Sequence, residues 1–154
     1  MVQPWEWPSK PWERIHIDFA GPFMNSMYLI VIDDHSKWPE VFPMSAINSG
    51  KTIEILRSLF CRYCLPKTLV SDNGRSFISN EFQTFLKNNG IYHIKTSPYF
   101  PSSKGQAERF VQTFKDAMRQ TKVDFGSRDY QLQNVYCSFV KHHILPPTIL
   151  LLCF

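Results

Sequence analysis

The 154 residues are 44% hydrophobic and 15% aromatic, with a formal charge of +4 and a pI near 8.9. A chain of that length and apolar content can bury one full core and is too hydrophobic to be disordered, while its mild positive charge permits a nucleic-acid partner without demanding one. The longest apolar run, 144–154, contains Pro146 and Pro147 and is about half of the ~20 residues a bilayer span needs, so no transmembrane helix is expected.

Residues 1–11 mix Trp with Pro and lack the basic-then-apolar pattern of a secretory signal. They are read as an extended arm, outside a core of 12–141, that docks by its tryptophans; an intracellular protein without disulfides is expected. Arg14–Phe19 then alternates, with Ile15, Ile17 and Phe19 on one side and Arg14, His16 and Asp18 on the other, a strand ended by Ala20-Gly21-Pro22. Met27–Ile32 is a continuous apolar run suited to a central strand, and Trp38–Met44, weakened by Pro39 and Pro43, is an edge strand. Asp33 and Asp34 lie in the connection between them, where adjacent acids are ordinary turn residues.

Asn48–Tyr63 is the first predicted helix, capped by Asn48 or Ser49, with Ile53, Leu56, Phe60 and Tyr63 on its apolar face. Its Gly50-Lys51-Thr52 is no phosphate-binding loop, because that loop needs a glycine where Ser45 stands. Cys61 and Cys64 lie within this helix without a second ligand pair, so they are read as small buried residues and no zinc is expected. Thr68–Ser71 is a short strand running into the Asp72-Asn73-Gly74 turn, which sets Asp72 at the carboxyl end of the sheet, where open α/β sheets carry their sites. A helix over Glu81–Asn89 with Gly90 behind it and a strand over Tyr92–Thr96 follow. After the loop Ser97–Gly105, Ala107, Phe110, Val111, Phe114 and Met118 form the stripe of an amphipathic helix reaching about Gln120. Asp129–Lys141 fits a last helix, and 142–154 has no period. The order is that of an α/β domain with an antiparallel start.

Asp18, Asp72 and Glu108 thus come from two strand ends and the start of a helix. Three converging carboxylates repel one another unless cations lie between them, and oxygen ligands of this kind suit Mg²⁺ or Mn²⁺. Two such ions roughly 4 Å apart stabilise both the attacking and the leaving oxygen in phosphoryl transfer.

Asp18 and Asp72 are separated by 53 residues and Asp72 and Glu108 by 35. With Trp12-Glu13, the run His16 to Pro22, Ser71-Asp72-Asn73-Gly74 with Phe77, and Ser97-Pro98-Tyr99 with Pro101, Gly105, Glu108 and Arg109, the chain resembles the catalytic core of retroviral and gypsy-type retrotransposon integrases. The resemblance covers about Pro11 to Gln120. It implies a ribonuclease-H-like fold, a mixed five-stranded sheet flanked by helices. It also implies a polynucleotidyl transferase that trims the 3′ ends of a DNA element and joins them to target DNA. Asp18 and Asp72 would share one metal ion, and one of them with Glu108 would hold the other. Lys104, Gln112, Lys115, Arg119 and Tyr99 are the expected DNA-contacting residues, with Asn73, Gly74 and Gly105 supporting the site. DNA, further copies of the chain and a nuclear location are the implied partners and place.

The sequence departs from the family where Phe100 replaces a His and Lys104 an Asn, and in the absence of the zinc-binding and basic flanking domains of complete integrases. Residues 142–154 are expected to be a truncation or altered frame. Two other readings stay open: a degenerate core that binds nucleic acid or protein without catalysis, and a ribonuclease H, for which Glu54 on the first helix would supply an acid.

Overall fold

The computed structural model describes residues 6–23, 25–96 and 105–120, together with Gln133 and Cys137. Its elements in chain order are β1 (Arg14–Phe23), β2 (Ser26–Asp33), β3 (Pro39–Met44), α1 (Ser49–Tyr63), β4 (Thr68–Ser71), α2 (Arg75–Ile78), α3 (Asn80–Asn88), β5 (Tyr92–Lys95) and α4 (Gly105–Gln120). Short connections allow β1, β2 and β3 to pair antiparallel in succession. The next strand to join needs a crossover, which α1 supplies, so β4 pairs with β1 in parallel, and β5 with β4 likewise. The sheet order β3-β2-β1-β4-β5 is the mixed five-stranded arrangement expected, with β1 at its centre and β3 at one edge.

Alternation along β1 divides the molecule into two layers. Ile15 and Ile17 face α1 and α3, packing with Leu29, Val31, Leu56, Leu59, Leu69, Phe77, Phe82 and Leu86. Ala20 faces the other way, where Tyr28, Ile30, Ile32 and Phe114 of α4 form a second cluster. Phe114, 1% exposed, is the described member of the predicted α4 stripe that enters this core. The helix ends follow from their residues. Asn48 accepts from the Lys51 N–H at 2.8 Å, the Ser79 hydroxyl accepts from the Phe82 N–H at 3.3 Å, and Gly90 at φ +68° follows the Asn89 cap of α3.

Several expectations are corrected. β1 continues past Ala20 to Phe23, with an irregular register between Ala20 and Phe23. Gly21 permits this at φ +120°, since a Cβ there would lie 2.9 Å from the Ser26 carbonyl oxygen. Pro22 is tolerated because β4 pairs only with Arg14, Ile15 and His16, leaving the far end of β1 without a neighbour on that side. Arg75–Ile78 forms a turn of helix where only a turn was read. Cys61 and Cys64 are exposed free thiols, not buried ones: Phe60 takes the inward position at the end of α1, and Cys64 is the C-cap.

Over the described part of the Trp/Pro segment the Lys37 ammonium sits 4.2 Å above Trp7, which remains 54% exposed, and Trp12 at the start of the core stacks on Tyr63 at 4.1 Å. Arg14 donates to the Glu6 carbonyl and His35 Nδ1 meets the Pro8 carbonyl, each at 2.8 Å. Gln133 and Cys137 are helical; the rest of the predicted last helix and the tail 142–154 lie outside the described residues. No described helix is long and apolar enough to cross a membrane.

Candidate active site

The parallel pairing of β1 with β4 ends at His16 and Val70, and Asp18 and Asp72 each stand two residues beyond that last pair, Asp18 within β1 and Asp72 just past the end of β4. Asp18 falls on the α4 face, since it alternates with the inward Ile17 and meets Lys115 of α4. Asp18 Oδ1 accepts from the Phe19 N–H at 2.8 Å. Asp72 is exposed, and its Oδ1 accepts from the Gly74 N–H at 2.8 Å, closing the turn that follows β4. Asn73 beside it is exposed.

The third acid arrives on α4. Burial of Phe114 against Tyr28, Ile30 and Ile32 fixes the helix on the sheet, and Lys115 makes the adjoining polar contact, its ammonium 2.8 Å from Asp18 Oδ2. Glu108 precedes Lys115 by seven residues of α4, so its backbone lies roughly 10 Å nearer the helix start. Gly105 is the first residue of that helix. The predicted basic face is therefore divided. Lys115 is turned to Asp18, whereas Gln112 and Arg119 are exposed and both bond Asp116 at 2.9 Å. Tyr99, Phe100 and Lys104 lie outside the described residues.

Residues that no local pattern marks support Asp72 from behind. The Gln83 amide nitrogen donates to the Phe77 carbonyl at 2.7 Å and meets His93 Nδ1 at 2.8 Å. His93 Nε2 lies 2.7 Å from the Ser71 hydroxyl, which is 2.9 Å from the Asp72 carbonyl oxygen. Burial, followed by the charge of Lys95, pushes the His93 imidazole down to about 4. The Ser71 carbonyl accepts from the Thr96 N–H at 2.8 Å, so the last residue of β4 is held at both main chain and side chain.

Asp33 and Asp34 belong to the opposite end of β1, as the register Ile15↔Asp33 requires. Asp33, 0% exposed, accepts from the main chain of Trp12, His35 and Ser36 and from the Ser36 hydroxyl. Asp34 is buried among Arg14, Lys37 and His16. Burial opposes its charge, yet His16, Lys37 and Arg14 together hold its carboxyl well below the usual carboxylate range. Glu54 pairs with Lys51 at 3.1 Å on the outer side of α1, which packs on the sheet face away from α4. The structure does not bring it to Asp18 and Asp72, and the acid that a ribonuclease H would take from this helix is missing from the pair.

Carboxylate oxygens such as those of Asp18 and Asp72 suit a hard divalent cation, and Asp18 is compensated here by the Lys115 ammonium. Among the described residues no cluster of three His, Cys, Asp or Glu ligands is assembled, and the Glu108 side chain is not among those described.

The integrase core domain family model matches residues 8–101, a span that holds the whole sheet and both aspartates. An uncharacterized protein of Caenorhabditis elegans is 38% identical over 88% of this chain, and the Pro-Pol polyprotein of feline foamy virus is 34% identical over 81%. The chain spans only 11% of the length of each of these relatives. The catalytic core domain of BIV integrase superposes with a TM-score of 0.70 at 21% identity, covering 86% of both chains. The simian T-cell lymphotropic virus intasome does so at 0.66 and 20% identity, covering 92% of this chain and 53% of that one. These structural neighbours establish the ribonuclease-H-like fold. With the family match spanning all five strands and the Asp18–Asp72 pair, the chain belongs to the integrase core domain family.

Proposed function

We propose that this chain is a metal-dependent polynucleotidyl transferase core, over residues 12–141, that processes and joins DNA ends. The observation that supports the reading is the end of the β1–β4 ladder at His16 and Val70, two residues before Asp18 and Asp72, with α4 packed on the Asp18 face by Phe114 and Lys115. Asp18, Asp72 and Glu108 hold the ions. When bound, two Mg²⁺ or Mn²⁺ ions supply the positive charge that activates an attacking oxygen and stabilises the leaving one. Water opens one phosphodiester and frees a 3′-hydroxyl. That hydroxyl then attacks a phosphodiester of the target, forming one ester as it breaks another, with no covalent enzyme intermediate.

Gln112 and Arg119, and Lys104 in the preceding loop with Tyr99, supply phosphate and sugar contacts that set register without reading sequence. Lys115 neutralises Asp18 in this structure, and its ammonium would be a further phosphate contact on the DNA backbone. Further copies of the chain and a nuclear site of action complete the reading. It is tested by incubating the protein with Mg²⁺ or Mn²⁺, labelled duplexes bearing the ends of its own element, and a supercoiled target. End cleavage and joining are expected from wild type, and neither from Asp72→Asn or Glu108→Gln. Activity that survives both substitutions overturns the mechanism; DNA binding by an inactive wild type supports the binding-only reading.

Two smaller effects follow. A Cβ at Gly74 would lie 2.9 Å from Asp72 Oδ1, and the carboxylate, the end of a side chain, yields more easily than the backbone. Gly74→Ala is therefore expected to lower the joining rate roughly tenfold to a hundredfold, with little change in melting temperature. Arg119→Ala is expected to weaken binding to unrelated duplexes alike and to reduce the slope of log K against log salt by about one, measured by fluorescence anisotropy at several salt concentrations. A change in sequence preference without a change in slope would contradict the phosphate role.

A further inference from the structure

Gln83, His93 and Ser71 form a continuous hydrogen-bonded chain whose end lies on the main chain of Asp72. Its directions are determined by the groups themselves. One nitrogen of Gln83 faces both the Phe77 carbonyl and His93 Nδ1, and an amide nitrogen only donates, so Nδ1 accepts. A neutral imidazole whose Nδ1 accepts carries its proton on Nε2 and donates to the Ser71 hydroxyl at 2.7 Å. The hydroxyl proton of Ser71 is then directed to the Asp72 carbonyl oxygen, 2.9 Å away. The chain ties α2 and α3 to the ends of β4 and β5, with Phe82 packed edge-on against the imidazole at 5.8 Å.

We infer that His93, held as its Nε2-protonated tautomer by Gln83, is a positioning residue that aims the Asp72 carboxylate through Ser71. Asp72 stands one residue beyond the last β4 residue in a β5 pairing, so the ladder alone does not determine its orientation. Ser71 is 3% exposed and turns its side chain to His93. The bond from the Ser71 hydroxyl to the Asp72 carbonyl holds the peptide after Asp72, while the Thr96 N–H holds the Ser71 carbonyl in the peptide before it, so the backbone is tied on both sides of the Asp72 side chain. A burial-neutralised imidazole suits this work, because the acceptor at Nδ1 persists across the pH range in which the site would operate.

The inference rests on the proposed metal site for its functional consequence and on the hydrogen-bond directions alone for its structure, so the two are tested separately. Mn²⁺ alone, titrated into the full chain and followed by electron paramagnetic resonance, reads the first. His93→Leu and Ser71→Ala are each expected to weaken Mn²⁺ binding about tenfold. The double substitution should be no weaker than either single one, because both cut the same chain. His93→Gln, which restores a donor near the Nε2 position, should recover most of the affinity although it restores no aromatic packing. Additive losses, or a His93→Gln protein as weak as His93→Leu, overturn the positioning role and leave His93 as a packing residue.

If wild type binds Mn²⁺ no better than Asp18→Asn does, the metal-site reading fails, and the relay is then judged by nitrogen-15 NMR. Nε2 protonation of His93 at neutral pH, with a displaced Gly74 amide resonance in Ser71→Ala, is the expected result. An Nδ1-protonated ring, or a Gly74 amide that does not move, overturns the relay itself.

Discussion

Asp18→Asn and Asp72→Asn are each expected to cut end cleavage and joining by roughly 10³-fold or more while the melting temperature stays within a few degrees of wild type. Asparagine keeps the acceptor oxygen that each position uses within the fold. Asp18 Oδ1 accepts from Phe19 and Asp72 Oδ1 from Gly74, and an amide oxygen serves both bonds. What the substitution removes is the negative charge that compensates a cation. For Asp18 it also removes the ion pair with Lys115, which at a part-exposed position contributes about 1 kcal/mol or less. Activity and stability should therefore separate: a gel assay of joined products shows the loss, and a calorimetric scan shows the fold intact. An inactive Asp18→Asn protein that is also strongly destabilised would make the site reading unnecessary.

Asp34→Ala is expected to do the reverse, destabilising the fold by about 3 kcal/mol or more and lowering the melting temperature by roughly 10 °C. The carboxylate is 4% exposed and faces Arg14, Lys37 and His16 together. Alanine leaves the Arg14 and Lys37 charges at the buried end of β1 without the carboxylate that compensates them. The same cluster sets an acid limit on stability. Because the folded carboxyl is held below its ordinary value of 3.8, the unfolded chain takes up the proton first as pH falls. The stabilisation is complete above that value and is lost progressively below it. Glu13, drawn down to about 2 first by its bond from Lys67 and next by Ser9, acts in the same direction. Urea titrations from pH 6 to pH 3 should show midpoints falling in wild type and a flatter profile in Asp34→Ala. A wild-type midpoint independent of pH would contradict the assignment.

Much of the sheet, and the positions of Asp18 on a strand and of Asp72 in the turn after one, were legible because they rest on local signals. Alternation over Arg14–Phe19 placed Asp18 off the main core, and Asp-Asn-Gly after a short apolar run placed Asp72 at a strand end. Glu108 was placed at the start of an amphipathic helix by the apolar stripe that follows it, and that helix is observed although the Glu108 side chain is not described. Four-residue α2 is too short to show a period, so a turn and a helix looked alike. Helical spacing grouped Lys115 with Gln112 and Arg119, but only the docking of α4 by Phe114 decides that Lys115 meets Asp18. Asp34 was read as a turn residue, which its position bears out, yet the cations around it come from the antiparallel pairing of β1 with β2. His93 and Gln83 carried no signal at all, since the contact to Ser71 joins residues 22 apart across a parallel ladder.

The sheet order also dictates when the site comes into being. β1, β2 and β3 are joined by tight connections and close short loops, whereas β4 reaches β1 only after the intervening strands and α1 have been laid down. The Lys115 contact to Asp18 closes a still longer separation of 97 residues. Asp18 is thus in place on an early hairpin while Asp72 and α4 are still being gathered, and like charges meet only when the lysine arrives with the last element. A refolding chain should recover its hairpin signals before the Lys115 contact to Asp18 forms, so the proposed site is assembled only with the last element.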